Sequence, residues 1–269
     1  MATDLQTAPA LPAVSTLPTP AAPATDDIGF DRELLMMLAK VPLTAILWTV
    51  AAYIGHLIWG ALDTSTEGSV NYGSIVVICI GMVLAAVIDG YAFKVPNWLT
   101  LSLVVAGWYL GLLHTCGVMV DAGQGGIGQA LLGTLIGFAV LFPALAIGGM
   151  GEGDVKMTMG FGAWMGAFFG DGSAFGMSGA AMIWWSFALG VMIGGVFGLV
   201  IMVCRRQFEN NGRNFREILT DLQTLVTHGP EKAAARANSR RKEWVRLPYG
   251  VPLCVGFLAY LWFRLIYAV

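Results

Sequence analysis

The chain has 269 residues, 57% of them hydrophobic and 12% charged, about half the charged fraction, roughly 25%, of a soluble domain. Its 15 Lys and Arg and 17 Asp and Glu give a net charge of −2 and are segregated, with long stretches carrying none. That excludes an ordinary soluble domain, gives no basis for nucleic-acid binding, and predicts an all-α, polytopic membrane helix bundle of about six to seven transmembrane helices.

Residues 1–33 open the chain as a Pro/Ala-rich stretch; five of the eleven prolines fall before residue 31. With no sustained apolar run it cannot bury enough surface to order itself, so a disordered cytoplasmic tail is expected. A basic start followed by an apolar core is missing, so it does not read as a signal peptide. Membrane helices are expected over 34–203. About 20 apolar residues cross a bilayer as a helix, and seven segments approach that length: 41–62, 72–88, 98–119, 127–148, 155–170, 174–203 and 249–268. The fifth is short and Gly-rich; the sixth is long enough to tilt. Glycines four apart, Gly133/Gly137, Gly162/Gly166/Gly170 and Gly190/Gly194/Gly198, let helix backbones approach closely and point to a tightly packed bundle or an oligomer contact.

Lysines and arginines set the orientation. With the N-terminus inside and seven spans threaded, the inner segments hold Arg32, Lys40, Lys94, Lys156 and the ten basic residues of 205–246. The outer loops 63–71, 120–126 and 171–173 hold none. Arg264, near the outer end of the last span (249–269), can snorkel to the surface. Within the basic cytoplasmic loop 204–248, Phe215, Ile218, Leu219, Leu222, Leu225 and Val226 recur at helical spacing and predict an amphipathic helix ending at Gly229-Pro230. Anionic lipid headgroups are its expected partner, at roughly 1 kcal/mol per basic residue near the surface.

Cys79, Cys116, Cys204 and Cys254 form no CxxC pair, and His56, His114 and His228 lack ligand spacing. No metal and no cofactor is expected. Two acidic residues stand apart from those in loops and tails. Asp89 ends the uncharged stretch Ser74 to Ile88, and Asp154 lies in the string GGMGEGDVK. Charge counting places both at the inner ends of their spans. An ionisable group at the edge of hydrocarbon is a functional candidate, and two adjacent carboxylates share one proton, which suits metal-free amide hydrolysis. Gly148, Gly149, Gly151 and Gly153 let the backbone leave helical geometry and approach a substrate. The plainer alternatives are a pairing of Asp89 with Lys94 and an N-cap role for Asp154.

Three segments carry a family resemblance. DGYAFKVPNWLT from Asp89, with Val95, Pro96 and Asn97, resembles the first motif of the prepilin peptidase (type IV leader peptidase) family. GMGEGDVKMTMGFGAWMG, from Gly149 to Gly166, resembles the second, a GxGD string whose aspartate is Asp154. LPYGVPLCVG from Leu247 resembles a third, less specific pattern. The resemblance implies a membrane aspartic endopeptidase with catalytic Asp89 and Asp154. It would remove a basic leader peptide from type IV prepilin-like precursors at the cytoplasmic face of the inner membrane. Pro96, Asn97, Gly151, Gly153 and Lys156 are the supporting motif residues: Pro96 and Asn97 shape the turn into the third span, and Lys156 marks the inner interface or orients Asp154. The paired CxxC motifs of bifunctional members are not in this sequence, so methylation of the product is not expected of it.

Two other functions compete. A presenilin-like GxGD intramembrane protease would pair its aspartate with a Tyr-Asp motif and a later Pro-Ala-Leu. Here Ile88 precedes Asp89, and Pro143 to Leu145 precedes the GxGD. A proton- or ion-coupled transporter would hold both aspartates near the bilayer midplane.

Overall fold

The computed structural model describes residues 32–63, 71–119, 123–146, 150–173, 176–204 and 249–267, together with residues 220, 223, 224 and 227. The N-terminal tail up to residue 31, Gly148 and Gly149, and nearly all of the basic loop with its expected amphipathic helix lie outside the described residues. Seven long helices and no strand are present among the described residues. They are α1 (Arg32–Leu62), α2 (Gly73–Ala92), α3 (Asn97–Thr115), α4 (Ile127–Ala146), α5 (Glu152–Phe169), α6 (Gly179–Cys204) and α7 (Gly250–Tyr267).

Five segments are long and apolar enough to cross a membrane: Ala39–Leu62, Gly73–Ala92, Asn97–Thr115, Ile127–Ala146 and Gly179–Val200. Their outward faces carry large apolar side chains, such as Leu43, Leu47 and Leu57 on α1, Ile80 and Val87 on α2, and Met192 and Val196 on α6. Water would penalise that surface and lipid tails do not. The chain is an integral membrane protein.

The fifth predicted span reads as short and Gly-rich because α5 is the enclosed helix of the bundle. Fourteen of its 18 residues are buried, so neighbouring helices, rather than an apolar face, are what it must satisfy. On one side Gly162 and Gly133 meet across the α4–α5 contact, where a Cβ on either would collide with the other's carbonyl oxygen. Backbones at that separation tolerate only glycine. On the α3 side the Trp164 indole Nε1 donates to the Leu103 carbonyl at 2.8 Å. Toward α7, Phe161 stacks on Phe257 with centroids 4.4 Å apart. The Trp108 Nε1 donates to Thr134 Oγ1 at 2.9 Å and ties α3 to α4.

The third glycine row divides by function. Gly190 and Gly194 seat α6 against Leu253 and Pro252 of α7, whereas Gly198 faces nothing within 4 Å.

The reversal between α2 and α3 positions the candidate site. α2 closes on Phe93, which adopts φ 50 and ψ 27 and donates its N–H to the Asp89 carbonyl at 2.8 Å. Left-handed backbone is uncommon for a residue with a side chain; here it satisfies a carbonyl at the helix end and turns the chain. Pro96 then stands in extended conformation at the start of α3, and its carbonyl accepts from Leu99 and Thr100 at 3.1 and 3.3 Å. A proline suits that position because an N–H there would have no intrahelical partner.

Candidate active site

Asp89 occupies the last turn of α2 and is 6% exposed; Asp154 occupies the first turn of α5 and is 5% exposed. Full burial of an acidic side chain is rare unless it is paired, so the partners of each carboxylate identify its task. Asp89 Oδ2 accepts the backbone N–H of Gly250, the first residue of α7, at 2.9 Å. Its hydrogen-bond partner thus comes from the far end of the chain.

Gly151 is the N-cap of α5, with extended backbone (φ −81, ψ 152) and no side chain to serve the orphan donors of the helix start. Asp154 lies three residues further on and its carboxylate interacts with the Gly151 backbone N–H; Oδ2 is the oxygen on that side. This is half of a capping box. The N-cap alternative for Asp154 therefore holds in altered form: the cap residue is Gly151, and Asp154 supports the first turn from within the helix. Asp154 Oδ1 is buried with no hydrogen-bond partner among the described residues. An anion or a polarised group there has one oxygen left to serve something else, and a buried orphan acceptor is costly without such a role.

The two carboxylates interact electrostatically with each other. The end of α2 and the beginning of α5 are brought together by the α2–α3 connection, since a Cβ on Gly153 would stand 3.3 Å from the Cβ and backbone N of Val95. A larger residue would push these segments apart. The same junction carries a polar clamp. Lys156 Nζ donates to Asn97 Oδ1 at 3.0 Å and pairs with Glu152 at 3.3 Å, one helical turn away. The first and second sequence motifs are thereby joined through Asn97 and Lys156, beside the aspartates rather than on them.

Tyr249, immediately before α7, is half-buried, and burial pushes its phenol upward from the ordinary range, with the field of Asp154 adding to it. At neutral pH it is a hydroxyl and so a hydrogen-bond donor.

Residues 76–203 match the model of the Type IV leader peptidase family. Over that segment the chain is similar to the type IV leader peptidases. The matched stretch is close to half of the chain and contains both Asp89 and Asp154, Pro96 and Asn97, the GxGD string and Lys156. No curated protein and no solved structure gives a match to the chain.

Among the residues singled out from sequence, Asp89, Pro96, Asn97, Gly151, Gly153, Asp154 and Lys156 lie at one end of the bundle, on the facing ends of α2, α3 and α5. Two neighbours of this candidate site were not singled out, Tyr249 and Gly250. Neither carries charge in an apolar run, and the only signal for them was their place in the LPYG string.

Proposed function

We propose that the protein is an aspartic endopeptidase that removes the basic leader from type IV prepilin-like precursors at the cytoplasmic face of the inner membrane, with Asp89 and Asp154 as its catalytic pair. The observation that carries this is the meeting, in a segment matched to the type IV leader peptidases, of two buried carboxylates that feel each other's charge.

Two such groups share one proton and titrate as a unit. The ionised partner accepts a proton from water as the water oxygen attacks the scissile carbonyl carbon. The protonated partner donates a hydrogen bond to the carbonyl oxygen and stabilises the tetrahedral intermediate. Collapse breaks the C–N bond, the departing amine takes up a proton, and the pair returns to its singly protonated state. Asp154 Oδ1, buried and without a partner among the described residues, is suited to water or to the substrate carbonyl.

Asn97 and Lys156 hold the α2–α3 connection against α5 and so fix the distance between the carboxylates. Pro96 sets the start of α3, Gly153 lets Val95 of the α2–α3 connection pack against α5, and Gly151 keeps the backbone beside Asp154 slim enough for an extended peptide to approach. Glu152, 77% exposed beside Lys156, adds negative charge where a basic leader would enter. The inward orientation follows from the distribution of Lys and Arg, and anionic headgroups are the proposed partner of the basic residues of 205–246.

The substrate class is tested with a synthetic precursor carrying a Lys/Arg-rich leader, a Gly at its end and an apolar helix beyond. Purified protein in detergent is expected to release the intact leader, with mass spectrometry locating the cut at the Gly. A precursor whose leader lysines and arginines are replaced by Gln is expected to be cut at least about tenfold more slowly, a loss of about 1.4 kcal/mol in recognition. Equal cleavage of both, or no cleavage of either, contradicts the assignment.

A further inference from the structure

The family segment ends at residue 203, yet one of its aspartates is held from beyond it. The first turn of a helix has backbone N–H groups with no intrahelical partner, and these attract a negative group lying just beyond the helix start. At the start of α7 the N–H of Gly250 is given to Asp89 Oδ2 at 2.9 Å. The fit is tight: a Cβ on Gly250 would stand 2.7 Å from Asp89 Oδ2 and 3.1 Å from its Cβ and Cγ. Any side chain at this position must displace the Asp89 carboxylate. The preceding residue, Tyr249, lies in the field of Asp154. One dipeptide thus bonds one aspartate through its backbone and faces the charge of the other.

Asp89 needs such a support. It lies four residues before the left-handed Phe93 that ends α2, where helices fray unless tied down.

We propose that Gly250 is a positioning residue: the first turn of α7 locks the Asp89 carboxylate in register with Asp154, and the site is incomplete until the last helix has docked. Its catalytic consequence rests on the two-aspartate hydrolysis proposed above; the docking itself does not.

Two alanine substitutions separate this from a general packing effect. Gly250→Ala and Gly90→Ala add the same methyl group to the same α2–α7 contact, but at Gly90 it meets only Val251 Cγ2, at 3.6 Å. With full-length protein in detergent, Gly250→Ala is expected to lower kcat for precursor cleavage about 100-fold with KM nearly unchanged, as for a catalytic group misplaced by about 1 Å. Gly90→Ala is expected to retain wild-type kcat. A second readout needs no cleavage. With isotope-labelled aspartate, the carboxylate stretch assigned to Asp89 by its loss in Asp89→Asn is expected to shift in Gly250→Ala and not in Gly90→Ala.

If Gly250→Ala cannot be recovered folded, the same change in an Asp89→Ala background decides. Restored folding there supports the clash with Asp89, and continued failure overturns it. Wild-type kcat together with an unmoved band in folded Gly250→Ala overturns the proposal. A band shift in a protein that cleaves no precursor upholds the docking and removes the hydrolytic function.

Discussion

Among the described residues, backbone N–H groups and not side-chain cations are the neighbours of both acids: Gly250 for Asp89 and Gly151 for Asp154. The charged clamp of Lys156 is spent on Asn97 and Glu152 instead. Because Lys156 is partly exposed, its hydrogen bond to Asn97 is expected to contribute about 1 kcal/mol to stability. Lys156→Met and Asn97→Leu should each cost about that much in thermal unfolding. Since they remove one and the same interaction, the double variant should cost little more than either alone; full additivity would show that they act separately. Asp89 and Asp154 were legible in the sequence because acidic residues bordering long apolar runs are scarce. Gly250 was not: its value lies in clearance to a residue 161 positions away, and a short-range pattern does not carry that.

At the level of helices, the predicted spans and the observed elements agree to within a few residues at most ends, since apolar length is set by the bilayer and is written directly into the sequence. The α2–α3 reversal was harder to read, because its left-handed position is filled by Phe93 instead of glycine. Replacing Phe93 by Gly removes a penalty of roughly 1 kcal/mol and is expected to leave the melting temperature unchanged or raised. The glycine rows were visible as rows, but which members touch a neighbour depends on helix rotation. Gly162→Ala drives a methyl into the Gly133 carbonyl and is expected to destabilise by about 1–3 kcal/mol. Gly198→Ala meets nothing within 4 Å and is expected to stabilise by roughly 0.5–1 kcal/mol through chain entropy. Thermal unfolding of the two variants in the same detergent should move in opposite directions; a shared direction would contradict the α4–α5 packing described.

For the whole molecule, the enclosure of α5 by its neighbours explains why the carboxylate on its first turn can be buried while the bundle keeps a lipid-compatible exterior. Orientation across the membrane is testable with a native residue. Cys116 is an exposed free thiol just after α3, at the end of the helix opposite Asn97. With Cys79, Cys204 and Cys254 changed to Ser, a membrane-impermeant maleimide is expected to label Cys116 in intact cells, whereas a cysteine placed at Lys94 should label only in inverted vesicles. The reverse pattern would put the aspartates on the outer face. The most direct measurement is cleavage of a prepilin-like precursor by wild type, Asp89→Asn and Asp154→Asn, each checked for folding by circular dichroism and gel filtration. The two-aspartate mechanism predicts that either change lowers kcat by about 1,000-fold or more in folded protein; near-wild-type cleavage by either variant would contradict it.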